Sequence, residues 1–109
     1  MSIEEYLAGE RSKYESVMKQ STRGQSVYHL ISMAIEHGGS GSRVAASLIL
    51  ALEHGTPFKL QELVLLDPVN RAHADLVIAS CKPSDFTPSE WLNEEGYDGK
   101  SLLDKLQGK

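Results

Sequence analysis

Residues 44–52 read VAASLILAL, an apolar run broken only by Ser47 and bounded by HGGSGSR before it and EHG after it. This stretch constrains the fold more than any other. It is far short of the roughly 20 residues needed to cross a bilayer. Extended to residues 42–54, it places Val44, Ala45, Leu48, Ile49, Ala51 and Leu52 on one broad side of a helix, with Leu50 on what remains. A helix that leaves so little polar surface must be covered from several directions. The rest of the chain therefore has to supply amphipathic helices around it. With 109 residues, 40% of them apolar and 24% charged, there is material for one core of ordinary globular composition.

The flanking segments carry the matching signals. Ser2 followed by Glu5 is a capping box, and Ile3, Leu7, Tyr14, Val17 and Met18 keep to one stripe of a helix that ends near QSTRG, 20–24. A second helix spans about 25–37, with Val27, Leu30, Ile31, Ala34 and Ile35 inward and Gly38 and Gly39 as its stop. The apolar helix follows, with Ser40 or Ser42 as its cap. FKLQELVLL, 58–66, reads as a short helix, because no second strand exists to pair with it. Asp67-Pro68 is a cap followed by proline at the first helical position, and the helix it opens runs to Lys82-Pro83. In TPSEW, Thr87, Pro88 and Glu90 repeat that signal ahead of Trp91 and Leu92. Gly96 ends this helix, and Leu102, Leu103 and Leu106 mark a last amphipathic segment. The predicted fold is all-α: a compact bundle of six or seven mostly short helices around a central apolar helix at about 42–54. It forms a single domain over 1–109, with 83–109 as a C-terminal arm.

Charge and cysteine content narrow the function. The net charge is −4, which argues against non-specific nucleic-acid binding. The patch Arg11, Lys13, Lys19 and Arg23 is interrupted by Glu15 and reads as a solvated helix face. One cysteine, Cys81, permits neither an internal disulfide nor a cysteine-rich metal site. No secretory signal is visible at the start and no run is long enough for a membrane span, so the chain reads as cytoplasmic.

Candidate sites must be weighed against plainer roles. The doubled Glu-His-Gly, at 36–38 and 53–55, holds ligand types that zinc accepts, yet adjacent helical residues diverge by about 100 degrees, and metal-binding helices space ligands at i and i+4. A histidine at the carbonyl end of a helix with a left-handed glycine after it accounts for both copies, so no metal or other cofactor is expected. The loop HGGSGSR, 37–43, could hold an anion at the start of the apolar helix through Ser40, Ser42 and Arg43, although a tight turn explains it without a ligand and is the favoured reading. Residues 60–78 could imitate a helix-turn-helix, with Asn70, Arg71 and His73 as base readers; the shortage of positive charge makes DNA binding the second choice. Neither Cys81 nor any serine sits in a nucleophile elbow, so no catalytic residue is expected. The tail holds Phe86, Trp91 and Tyr97, the densest aromatic segment. These residues either lid the core or, if they stand outside it, anchor a protein partner or a second copy.

Residues 39–67, GSGSRVAASLILALEHGTPFKLQELVLLD, resemble a family of short bacterial proteins of unassigned activity, often encoded on plasmids and integrative elements. Gly41, Ser42, Arg43, Val44 and Ala45 echo the opening of that family's apolar helix, and Phe58, Leu60, Leu63 and Asp67 echo the segment after it. The family's Trp-Trp pair is missing here. The resemblance implies a bacterial cytoplasmic setting and brings no activity. The expectation is a non-enzymatic interaction or accessory protein, working through a protein partner or self-association.

Overall fold

The computed structural model describes residues 2–108, which form α1 (Ile3–Gln20), α2 (Arg23–Glu36), α3 (Ser40–His54), a 3₁₀ helix η1 (Leu60–Leu65), α4 (Pro68–Ala79), α5 (Pro88–Glu94) and α6 (Gly99–Gln107). Among the described residues there is no strand, only an isolated bridge between Lys82 and Asp85, and no helix is long and apolar enough to cross a membrane.

Local capping chemistry sets most boundaries. Ser2 Oγ accepts from the Glu5 N–H at 3.1 Å, and Asp67 Oδ1 accepts from the Asn70 N–H at 2.9 Å with Pro68 behind it. Helix α2 begins two residues earlier than its apolar periodicity predicts. Thr22 Oγ1 accepts from the Gln25 N–H while Gln25 Oε1 accepts from the Thr22 N–H, a reciprocal box that ends α1 and starts α2 at once. Neither Ser40 nor Ser42 caps α3. Gly39 does, at a φ of +98° and without any side-chain bond. Ser42 lies buried inside the helix, its hydroxyl donating to the Met33 and Gly38 carbonyls at 3.2 and 3.3 Å. The box expected at Thr87 and Glu90 does not form either: Thr87 Oγ1 is buried with no hydrogen-bond partner.

The two Glu-His-Gly copies end their helices differently. The second follows the expected pattern, with His54 in the last turn and Gly55 left-handed at φ +68°. In the first, the chain leaves the helix in extended conformation at His37 (φ −123°, ψ 161°), and the positive φ falls on Gly39 instead. The repeated sequence is thus not a repeated structure.

Two helices share the centre. α3 packs against α2, η1, α5 and α6, and α2 packs against α3, α4, α5 and α6. The core joins Val27, Leu30 and Ile31 of α2, Ala45, Leu48 and Ile49 of α3, Ala74 and Val77 of α4, Trp91 and Leu92 of α5, and Leu103 and Leu106 of α6. α5 and α6, within the segment read as a C-terminal arm, thus supply one wall of the core. Gly24 shows how closely it fits: a Cβ there would collide with the Trp91 carbonyl and the Glu95 Cγ.

α1 stands apart. It has no buried residue and packs chiefly on α4. Tyr14 Oη donates to Asp75 Oδ2 at 2.6 Å, and the end of α1 leads into Arg23, which bonds Asp85 beyond the end of α4. The two helices therefore run in the same direction. From Tyr14 back to Ile3 is roughly 16 Å of helix, but from Asp75 back to Pro68 only roughly 10 Å. The first turn of α1 overshoots the start of α4.

Candidate functional site

The predicted aromatic anchors do not form one surface. Trp91 is fully buried, its Nε1–H donating to Asp85 Oδ1 at 2.9 Å and its ring lying under the Arg23 guanidinium, 4.7 Å from the centroid. A tryptophan with its N–H satisfied gains most from burial, so this residue belongs to the core and offers nothing to a partner. Tyr97 is half-buried and stacks on Tyr28, with centroids 4.2 Å apart and planes 5° off parallel. Phe86 alone remains substantially exposed, beside Leu52, Cys81 and Pro83.

Arg23, assigned from sequence to a solvated basic face, is instead a clamp. It donates to Asp85 Oδ2 at 2.7 Å and to both carboxylate oxygens of Glu94 at 3.0 and 2.7 Å, tying α2 to α5 and the 82–85 turn. The guanidinium holds both carboxyls below their ordinary range and is itself held more firmly protonated.

The three base readers are likewise engaged within the fold. His73 is buried, sharing a 2.9 Å hydrogen bond between its Nδ1 and Ser26 Oγ. Its ring stacks on that of His29 at 4.0 Å. Burial, and after it the neighbouring His29, lower its pKa to about 4, so it is neutral at physiological pH. Asn70 Oδ1 accepts from His29 Nε2 at 2.7 Å while its Nδ2 donates to Asp67 Oδ2 at 3.1 Å. Arg71 Nε donates to Asp75 Oδ1 at 2.8 Å. A recognition helix needs one face free for the groove, whereas α4 is packed between α1 and α2. His73 must therefore be removed from any DNA-reading set. These polar groups form a seam that holds α2 against α4, with the 2.7 Å His29–Asn70 bond at its centre.

Of the anion candidates in the 37–43 loop, Ser42 is withdrawn, because its hydroxyl is committed to two carbonyls. Ser40 and Arg43 are exposed, and Arg43 has only a long ion pair, 3.8 Å, to Glu62 Oε1. Among the described residues no group of three His, Cys, Asp or Glu side chains is placed to hold a metal ion. The Cys81 thiol donates weakly to the Val77 carbonyl, and burial, with Asp85 nearby, pushes its pKa up. That is the opposite of what a nucleophile requires.

Sequence reasoning missed the surface that the fold leaves open. Ile3, Tyr6 and Leu7 on the first turns of α1 are all more than half exposed, Ile3 by 78%. In η1 only Leu63 faces inward, leaving Leu60, Val64 (77% exposed) and Leu65 outside. η1 leads through Leu66 and Asp67 directly into the start of α4, the end that α1 overshoots. The exposed large apolar side chains thus include two sets, one on the first turns of α1, which packs on α4, and one on η1, which packs on α3 and α4. The spacing of Ile3 and Leu7 reveals a stripe, but nothing in it tells which half of the stripe α4 covers.

Comparison with protein-family models, with curated proteins and with solved structures finds no match for this chain.

Proposed function

We propose that the protein is a non-catalytic interaction module that pairs with a second copy of itself through the exposed apolar face on the first turns of α1. The observation that carries this reading is the exposure of Ile3, Tyr6 and Leu7, spaced to share one face of a helix that has no buried residue. Contiguous apolar surface of this kind marks interaction sites, whereas scattered single residues do not. The flanking charges suit a self-complementary contact. Glu4 and Glu5 precede Arg11 and Lys13 by about two turns of helix, so two α1 helices meeting antiparallel across a two-fold axis bring the acids of each toward the bases of the other. The engaged state of Ser26 and His73 and the raised pKa of Cys81 support a role without catalysis. The resemblance of residues 39–67 adds the setting: an accessory protein in a bacterial cytoplasm, linked to mobile elements.

The patch is small beside the roughly 1,200–2,000 Å² of a stable interface, so the pairing is reversible and concentration-dependent. Light scattering across a concentration series tests it. The mass rises from monomer toward dimer with concentration, and Leu7→Lys or Ile3→Lys returns it to monomer with the melting temperature intact. A monomer throughout the series would refute the reading.

A further inference from the structure

A groove of about 360 Å³ lies between the end of α2, the first half of α3 and the end of α6, on different residues from the pairing surface. Its floor is Ala34, Ala46, Leu50 and Leu106. Its mouth is formed by Gly38 and Gly39, where an added Cβ would meet nothing within 4 Å, so no side chain narrows the entrance there. Arg43 and His37 stand at the rim, and among the described residues no carboxylate lines it. The size is at the small end of ligand pockets, and an apolar floor with a few polar groups at one edge is their usual construction.

The charge at that edge decides the ligand. The Arg43 side chain is 63% exposed, and its ion pair to Glu62 at 3.8 Å is too long for a strong hydrogen bond. A carboxylate reaching Arg43 from the groove would gain a shorter, charge-assisted contact and displace Glu62. We infer that this groove binds a molecule with an apolar chain and a single anionic head, of which a medium-chain fatty carboxylate is the simplest: the chain lies on Ala34, Ala46, Leu50 and Leu106, and the head meets Arg43. This narrows the earlier anion site to one of its three residues and joins it to an apolar floor invisible in the sequence.

The test titrates the full chain with decanoate and with decan-1-ol, following amide shifts by NMR. Wild type binds decanoate saturably. Arg43→Ala weakens decanoate about tenfold and leaves decan-1-ol unchanged, as loss of one charge-assisted contact requires. Glu62→Gln tightens decanoate by freeing Arg43, a gain that general damage to the fold would not produce. Ala46→Leu fills the floor and removes both ligands while the melting curve reports an intact fold. Absence of saturation by about 1 mM would overturn the inference, as would decanoate affinity indifferent to both Arg43→Ala and Glu62→Gln. If Ala46→Leu abolished self-association instead, the groove would be an interface between copies. Leu7→Lys leaves decanoate binding unchanged, which keeps failure of the pairing surface separate from failure of the groove.

Discussion

Mild acid should destabilise this fold through a single buried imidazole. His73 has a pKa of about 4 in the native state against an ordinary 6.5. On acidification the unfolded chain takes up a proton at this position well before the native one does, so stability is complete above the unfolded pKa and falls as pH drops toward the native value. Each unit in that window costs about 1.4 kcal/mol, so going from about pH 7 to about pH 5 removes close to 2 kcal/mol. That is a large share of the 5–15 kcal/mol typical of a domain. The Arg23 clamp adds to the loss only at lower pH, because the stability it gives through Asp85 and Glu94 fades as pH falls below their ordinary values of 3.8 and 4.5. Urea unfolding at the two pH values gives the slope, and His73→Gln isolates it: the variant starts less stable but loses little more between the two pH values. An NMR titration of the imidazole reads the pKa directly. Equal stability at both pH values in wild type, or the same loss in His73→Gln, would show that this ring is not held neutral by the core.

Other consequences follow from the packing. Gly24→Ala should cost about 1–3 kcal/mol, because a methyl at the α2–α5 crossing meets the Trp91 backbone, which cannot yield as a flexible side chain would; chemical unfolding measures it, and an unchanged midpoint would contradict so close an approach. Thr87→Val should raise stability by about 1 kcal/mol, since it replaces a buried hydroxyl without a partner by a methyl of similar shape, and a lower melting temperature would mean that the hydroxyl is satisfied. Cys81 should react with iodoacetamide more slowly than a free thiol at the same pH, because burial keeps it protonated; a rate equal to that in urea would disprove this.

Local chemistry was legible in the sequence where one or two residues decide the outcome. Asp67-Pro68 acts as the cap its spelling predicts, Ser2 supplies the hydroxyl half of the box expected with Glu5, and the apolar run at 44–52 does lie in the core. The Thr22–Gln25 box is equally readable, whereas the apolar periodicity of α2 starts later and points to a later boundary. The rest depends on partners distant in sequence. Whether Trp91 is an anchor or a core residue is settled by Asp85, Arg23 and the space left by Gly24. Whether Ile3 and Leu7 are covered depends on how far α4 reaches along α1. His73 and Ser26, 47 positions apart, could not be paired before α2 was set against α4. The identical wording of the two Glu-His-Gly copies hid that one ends in a left-handed glycine and the other in extended chain.

The pairing surface is tested most directly by sedimentation velocity on wild type and on Leu7→Lys across a wide concentration range. The expected result is a weight-average sedimentation coefficient that climbs with concentration in wild type and stays at the monomer value in the variant. A wild-type coefficient that stays monomeric, or a climb that Leu7→Lys leaves untouched, would contradict the assignment of this face of α1 as the site of self-association.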